Sequence, residues 1–223
     1  MSIATPPATA SGFAPPPRTL GDLLHELGGI PAHRVRLHPQ PGTATEADAI
    51  RLMAAERTCE LVRGTLVEKP MGVPQGYFGS LLAFYLNAFV LPRRLGIVIQ
   101  PDALFRMQLG NLREPDVSFT RKARLPNPLP QVGGWCPDLC VEVLSPDNTS
   151  AEMKQKRLEY FRSGCGVVWE FDIEARTVTV YSDIDRGFSF TAADHLDGGS
   201  ILPGFRLSLS ELFAAYDDGL KHD

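Results

Sequence analysis

The chain has 223 residues, 43% of them hydrophobic, and a formal net charge of −4. That length accommodates one full hydrophobic core with additions around it. The mild acidity excludes a histone-like or DNA-coating protein, whose affinity comes from surplus basic charge, but not a nuclease, whose metal site is itself acidic.

Residues 1–18 are rich in Pro, Ala, Ser and Thr and include Pro15-Pro16-Pro17, the composition of an extended or disordered tail. No basic flank followed by an apolar core marks a secretory signal. No apolar run is long enough for a membrane span. The expected compartment is the cytoplasm, where Cys59, Cys136, Cys140 and Cys165 would be reduced thiols. They contain no CxxC pair, and no His pair follows at zinc-finger spacing.

Residues 19–57 read as an N-terminal accessory layer of helices. A short helix over 19–27 stops at Gly28-Gly29, and 35–37 suits a brief strand. Thr45 can cap a helix over 46–56, with Asp48 three residues on. The main domain, 58–223, opens with a hairpin, 58–62 and 65–68 around Arg63-Gly64. Leu81, Leu82, Tyr85, Leu86 and Phe89 at helical spacing predict a helix over 80–91, closed by Pro92. Strands are expected at 96–99, 103–107 and 115–120, then a Pro-rich loop over 125–134. A strongly apolar strand covers 139–144 and a helix 151–162, ended by Ser163-Gly164. Strands 167–173 and 177–182 form a second hairpin, and the end reads as turn, short strand and a helix from Ser210. Helices interleaved with strands indicate an α/β domain with a mixed sheet. Trp135 and Trp169 read as core or interface residues.

Four carboxylates interrupt this pattern. Glu142 sits inside the apolar run 141–144, where an ionised group is costly unless it is paired or metal-bound; alternation equally allows a strand face turned to water. Asp116 opens a strand in "REPDVSFT", the position of a turn-ending Asp or of a functional acid. Glu152 and Lys156 lie four apart on a helix, the spacing of a surface ion pair. Glu60 interrupts the first hairpin, and on its own suits an outward-facing position. Taken together, acids on neighbouring strands can hold one hard cation through oxygen ligands, with a lysine nearby to orient water or stabilise charge. HxxxH spacing, a GxSxG elbow, a GxxxxGK[ST] loop and GxGxxG are all missing, so no organic cofactor is expected.

The stretches "CELVRGTLVE", "REPDVSFT", "PDLCVEVLSP", "KRLEYFRSGCGVVWEFD" and "GGSILPGFRLSLSELF", in order over 60–213, resemble the Uma-type endonuclease family of the PD-(D/E)XK restriction-endonuclease-like superfamily. The resemblance implies a central mixed sheet flanked by helices and Mg²⁺- or Mn²⁺-dependent hydrolysis of DNA. It aligns Asp116 and Glu142 with the metal-binding acids and the Val143 carbonyl with a further ligand. The superfamily lysine would fall at Leu144; a migrated form takes it from the next helix, where Lys156 fits and Lys154 points elsewhere. Glu152 and Glu60 match accessory acids, and Gln75 stands where relatives carry His or Glu. Leu144 and Gln75 also suit a retired site kept for binding. Arg113, Arg121, Lys122 and Arg124 bracket the Asp116 strand as candidate phosphate contacts. The alternating segments 188–190 and 201–209 are a candidate edge for pairing with a second copy, making a homodimer.

Overall fold

A computed structural model describes residues 19–55, 59–70, 72–101 and 103–221. The expected tail over 1–18 and the boundary at 57/58 fall outside the described residues; the second helix, expected to reach 56, stops at Met53.

The N-terminal part begins with α1 (Leu20–Glu26), capped reciprocally by Thr19 and Asp22, and α2 (Glu46–Met53), where the Asp48 carboxylate accepts from the Thr45 N–H. The expected strand at 35–37 reduces to one bridge, Val35 to Val67. Strands β1 (Cys59–Val62) and β2 (Thr65–Glu68) pair in register through Arg63-Gly64. Both turn residues have positive φ, 48° and 70°, as a two-residue hairpin of this hand requires. The Asn111 side chain accepts from the Arg63 N–H at 2.8 Å, holding Arg63 in that conformation.

Helix α3 (Val73–Arg93) is longer than its apolar periodicity. Pro74 lies in its first turn, where a missing N–H costs nothing, so the helix starts seven residues before residue 80. Pro92 does not end it: the last turn includes Pro92, and Arg94 closes it in the left-handed conformation. Then follow β3 (Gly96–Ile99), the two-residue strands β4 (Phe105–Arg106) and β5 (Leu112–Arg113), β6 (Val117–Arg121), β7 (Leu139–Val143), α4 (Ser150–Arg162), β8 (Val167–Asp172), β9 (Thr177–Tyr181), β10 (Gly187–Thr191), β11 (His195–Asp197), β12 (Arg206–Ser208) and α5 (Leu209–Asp218).

Two principal sheets result. The larger is ordered β10-β9-β8-β7-β6-β3, and the smaller β2-β1-β5-β4. In the larger sheet β7 and β8 run parallel and every other pair antiparallel, so the sheet is mixed. The parallel pair is made possible by α4, which carries the chain back across the sheet.

Strand alternation divides the larger sheet into two unlike faces. Val117, Phe119, Leu139, Val141, Val143, Trp169 and Phe171 form one face and pack with Phe78, Leu82 and Leu86 of α3 and Phe213 of α5. Each of these helix side chains is fully buried, worth about 1.5–3 kcal/mol apiece. The other face carries Cys140, Glu142, Val168 and Glu170 and lies under α4. Water does not cover it.

Segment 201–209 contains β12, one strand of a two-stranded sheet, with its apolar side chains turned inward. Leu202, Phe205, Leu207 and Leu209 are buried in the main core, and β12 pairs with β11. Residues 188–190 lie in β10, at the edge of the larger sheet, with Phe188 exposed. The described cysteines are buried, and Cys136, Cys140 and Cys165 form no disulfide. The Sγ atoms of Cys136, Cys140 and Cys165 lie within 4.8 Å of one another, and Cys165 donates to the Val167 carbonyl. No helix among the described residues is long and apolar enough to cross a membrane.

Candidate metal centre

Strands β6 and β7 pair with Val117 opposite Val141. Just before β6, Asp116 lies beside the Glu142 strand, near enough for its charge to act on Glu142. The Asp116 N–H donates to the Val141 carbonyl at 2.9 Å, and Asp116 Oδ2 accepts from the Val143 N–H at 2.7 Å. In a strand the N–H and C=O of one residue point to the same side, so the Val143 carbonyl also faces Asp116. Asp116 thus meets the main chain one residue from Glu142.

Helix α4 closes the site from above. Thr149 caps it by accepting from the Glu152 N–H. Its inward stripe is Glu152, Met153, Lys156, Arg157, Glu159 and Tyr160, nearly all polar and all buried. The stripe is polar because the sheet face below it is polar. Lys156 Nζ lies 3.0 Å from Glu142 Oε2 and 3.2 Å from Glu60 Oε1. The Tyr160 hydroxyl donates to Glu142 Oε1. Arg157 binds Glu170 on the neighbouring strand. Lys154 points outward to Asp185, so it does not compete with Lys156.

The smaller sheet supplies the far wall. Glu60 on β1 is fully buried, not an outward hairpin residue. It accepts from Arg113 at 2.7 Å and from the Glu114 N–H at 3.2 Å. Arg113 also grips Glu159 with two hydrogen bonds, at 2.7 and 2.9 Å. Lys69, at the end of β2, reaches Asp116 Oδ1 at 2.7 Å and the Glu114 carbonyl at 2.6 Å.

Glu152 belongs to a separate pair. Arg34 holds it with two hydrogen bonds, at 2.7 and 2.9 Å, and Asn148 adds a third. The surface Glu152–Lys156 pair suggested by spacing does not form, because packing turns the two residues toward different buried partners. Glu152 therefore anchors the accessory segment to α4 and makes no contact with Asp116 or Glu142. Gln75 stands half-buried in the first turn of α3, with no hydrogen bond to either acid.

The phosphate contacts expected around Asp116 need correction. Arg113 is 3% exposed and spent on two carboxylates. Arg121 follows Asp116 by five residues of extended chain, about 16 Å. Arg121 and Arg124 converge there on buried Asp138, with Lys122 exposed beside them. Closeness in sequence put these residues together; an extended strand holds them at opposite ends.

Electrostatically, the carboxylates of Asp116, Glu142, Glu60 and Glu159 meet three cations, Lys69, Lys156 and Arg113. Burial raises the Glu142 pKa from 4.5 to about 7 against the pull of Lys156, with Asp116 adding to the rise. Glu60 is equally buried, but Lys156 and Arg113 outweigh that and hold its carboxyl far below the ordinary range. Burial opposes the charge on Lys156, yet Glu142 and Glu60 keep it well above the ordinary lysine value. Within the cluster, burial is the chief reason Glu142 is pushed up. A cavity of about 350 Å³ opens beside it, lined by Leu144, Ser145, Arg157, Glu170 and Tyr181 among others, without Asp116 or Glu142.

Comparison with known proteins bears on this arrangement. A family described as "Uma2: Putative restriction endonuclease" matches residues 46–210. The chain belongs to the Uma2 family. A search of curated proteins gives no match. Among solved structures, one titled a putative nuclease belonging to DUF820, from Anabaena variabilis ATCC 29413, is 23% identical. It covers 72% of this chain and 92% of its own length, with a TM-score of 0.65. That likeness bears on the fold, which in this Uma2 chain is restriction-endonuclease-like: a mixed sheet flanked by helices. Lys69, Arg34 and Tyr160 were not legible as site residues in the sequence, and Arg113 was expected on phosphate and not on buried carboxylates. Only for Lys69 was there a local signal, a lysine directly after a buried strand.

Proposed function

We propose that this Uma2 protein is a metal-dependent endonuclease that hydrolyses DNA phosphodiester bonds. The observation that carries the reading is the Asp116 carboxylate seated on the Val143 N–H, next to Glu142, with a lysine delivered onto Glu142 from the following helix. The donor set fits Mg²⁺ or Mn²⁺: two carboxylates and the Val143 carbonyl are hard oxygen ligands. The excess of carboxylates over cations in the cluster also suits an added positive charge.

Asp116, Glu142 and the Val143 carbonyl would hold the ion. When bound, a divalent cation lowers the pKa of a coordinated water and neutralises charge on a phosphate oxygen. Lys156 stays protonated, so it serves as a charge stabiliser or hydrogen-bond donor to the nucleophile and not as a base. Glu60 gives Lys156 a second carboxylate partner at 3.2 Å. The Tyr160 hydroxyl fixes the Glu142 rotamer through its other oxygen.

A second reading has one observation in its favour. Each acid already carries a lysine, Lys69 on Asp116 and Lys156 on Glu142, as in a site kept for binding after catalysis is lost. Plasmid nicking with Mg²⁺ or Mn²⁺ separates the two. The nuclease reading expects cutting by the wild type, none in chelator, and loss of at least about a hundredfold in Asp116→Ala and Glu142→Ala. Metal binding without cutting of duplex DNA, single-stranded DNA or RNA supports the binding protein.

A further inference from the structure

Lys69 lies outside the set of residues that the resemblance aligns with the site. It leaves the smaller sheet at the end of β2 and enters the site with its side chain 3% exposed. Both of its hydrogen bonds are short: 2.7 Å to Asp116 Oδ1 and 2.6 Å to the Glu114 carbonyl.

The two lysines at the site are differently secured. Lys156 bridges two carboxylates, so it keeps Glu60 if Glu142 turns to another cation. Lys69 hydrogen-bonds one carboxylate and one neutral carbonyl. On Asp116, Oδ2 is committed to the Val143 N–H, and Oδ1 is the oxygen that Lys69 holds. A carboxylate oxygen has a second lone pair, so a cation can share Oδ1, but only against the repulsion of an adjacent ammonium.

We infer that Lys69 is the resident counter-ion of the metal site, balancing Asp116 in the metal-free protein and setting how tightly a divalent cation is held. The inference rests on the assignment of Asp116 and Glu142 as metal ligands. Its consequence is a coupling: an anionic phosphate arriving with the substrate offers Lys69 a replacement partner. Metal uptake and substrate binding then reinforce each other.

The test is calorimetric titration of MnCl₂ into the wild type, Lys69→Met, Lys69→Gln and Asp116→Ala. Lys69→Gln retains a donor for the Asp116 carboxylate without the charge, and guards against a Met variant that fails to fold; near-ultraviolet circular dichroism reports the fold of each. The expected result is Mn²⁺ binding at least about tenfold tighter in both Lys69 variants, the effect of removing one adjacent positive charge, and none in Asp116→Ala. Affinity unchanged or weaker in folded Lys69→Gln, with wild type binding and Asp116→Ala not, overturns the role of Lys69 and leaves the metal site standing. Binding in none of the four proteins, or equal binding in Asp116→Ala, overturns the metal site and the inference together.

Discussion

Glu142→Gln should change how stability depends on pH, and the size of the change follows from the burial of one carboxylate. Glu142 rises from an ordinary 4.5 to about 7 in the folded, metal-free protein. Between those values the folded state binds more protons at this position than the unfolded chain does. Wild-type stability therefore loses a contribution as pH rises through the window; the contribution is fully present below 4.5. At about 1.4 kcal/mol per unit, the whole window is worth about 3 kcal/mol, and the interval from pH 5 to 8 about 2.5 kcal/mol. Glutamine has no proton to lose and can still accept from Lys156, so the variant lacks this decline. Other titrating groups are shared, so the difference between the two proteins isolates residue 142. In urea unfolding with EDTA, at an m-value of about 2 kcal/mol/M, the variant's midpoint should gain about 1 M on the wild type between pH 5 and pH 8. Midpoints that stay parallel across that range would mean Glu142 is ionised throughout in the folded protein, and would refute the argument from desolvation.

Arg34→Ala leaves Glu152 buried without its bidentate partner and should cost about 3–5 kcal/mol, read as a fall in the urea midpoint; a loss under 1 kcal/mol would deny the pair its anchoring role. Gly28 has φ +85°, and a Cβ there would lie 2.7 Å from the main chain of Glu152. Gly28→Ala should therefore destabilise by at least about 2 kcal/mol through strain and displacement of the α4 N-terminus, measured by thermal unfolding. Lys154→Ala breaks only an exposed pair with Asp185, so stability should change by less than about 0.5 kcal/mol and nicking not at all. Lys156→Ala should lower nicking at least about a hundredfold with folded protein remaining; equal effects of the two lysine variants would remove the distinction drawn between them.

Much of the local architecture was legible because it is written in short-range patterns. The Thr45–Asp48 cap, the Arg63-Gly64 turn, the β7 strand and the β8–β9 hairpin depend on neighbours within a few residues. Strands β5 and β11 were not legible, since two or three residues carry no measurable alternation, and Pro92 misled because proline is tolerated in a final turn.

The sequence by itself determined that Glu142 lies on the opposite strand face from Val141 and Val143, that Asp116 begins the strand before it, and that a lysine-bearing helix follows. These facts need only a two-residue strand period and a helical turn. What covers the Glu142 face was decided by tertiary structure alone. Alternation says which side a residue faces, not whether water or a helix waits there. The Arg34–Glu152 contact spans 118 positions, and Lys69–Asp116 spans 47. Such pairs are selected by packing of the two sheets against α4, where an unpaired buried charge would be too costly to keep. The same long-range packing buries Arg113 among carboxylates and leaves Arg121 at the far end of its strand.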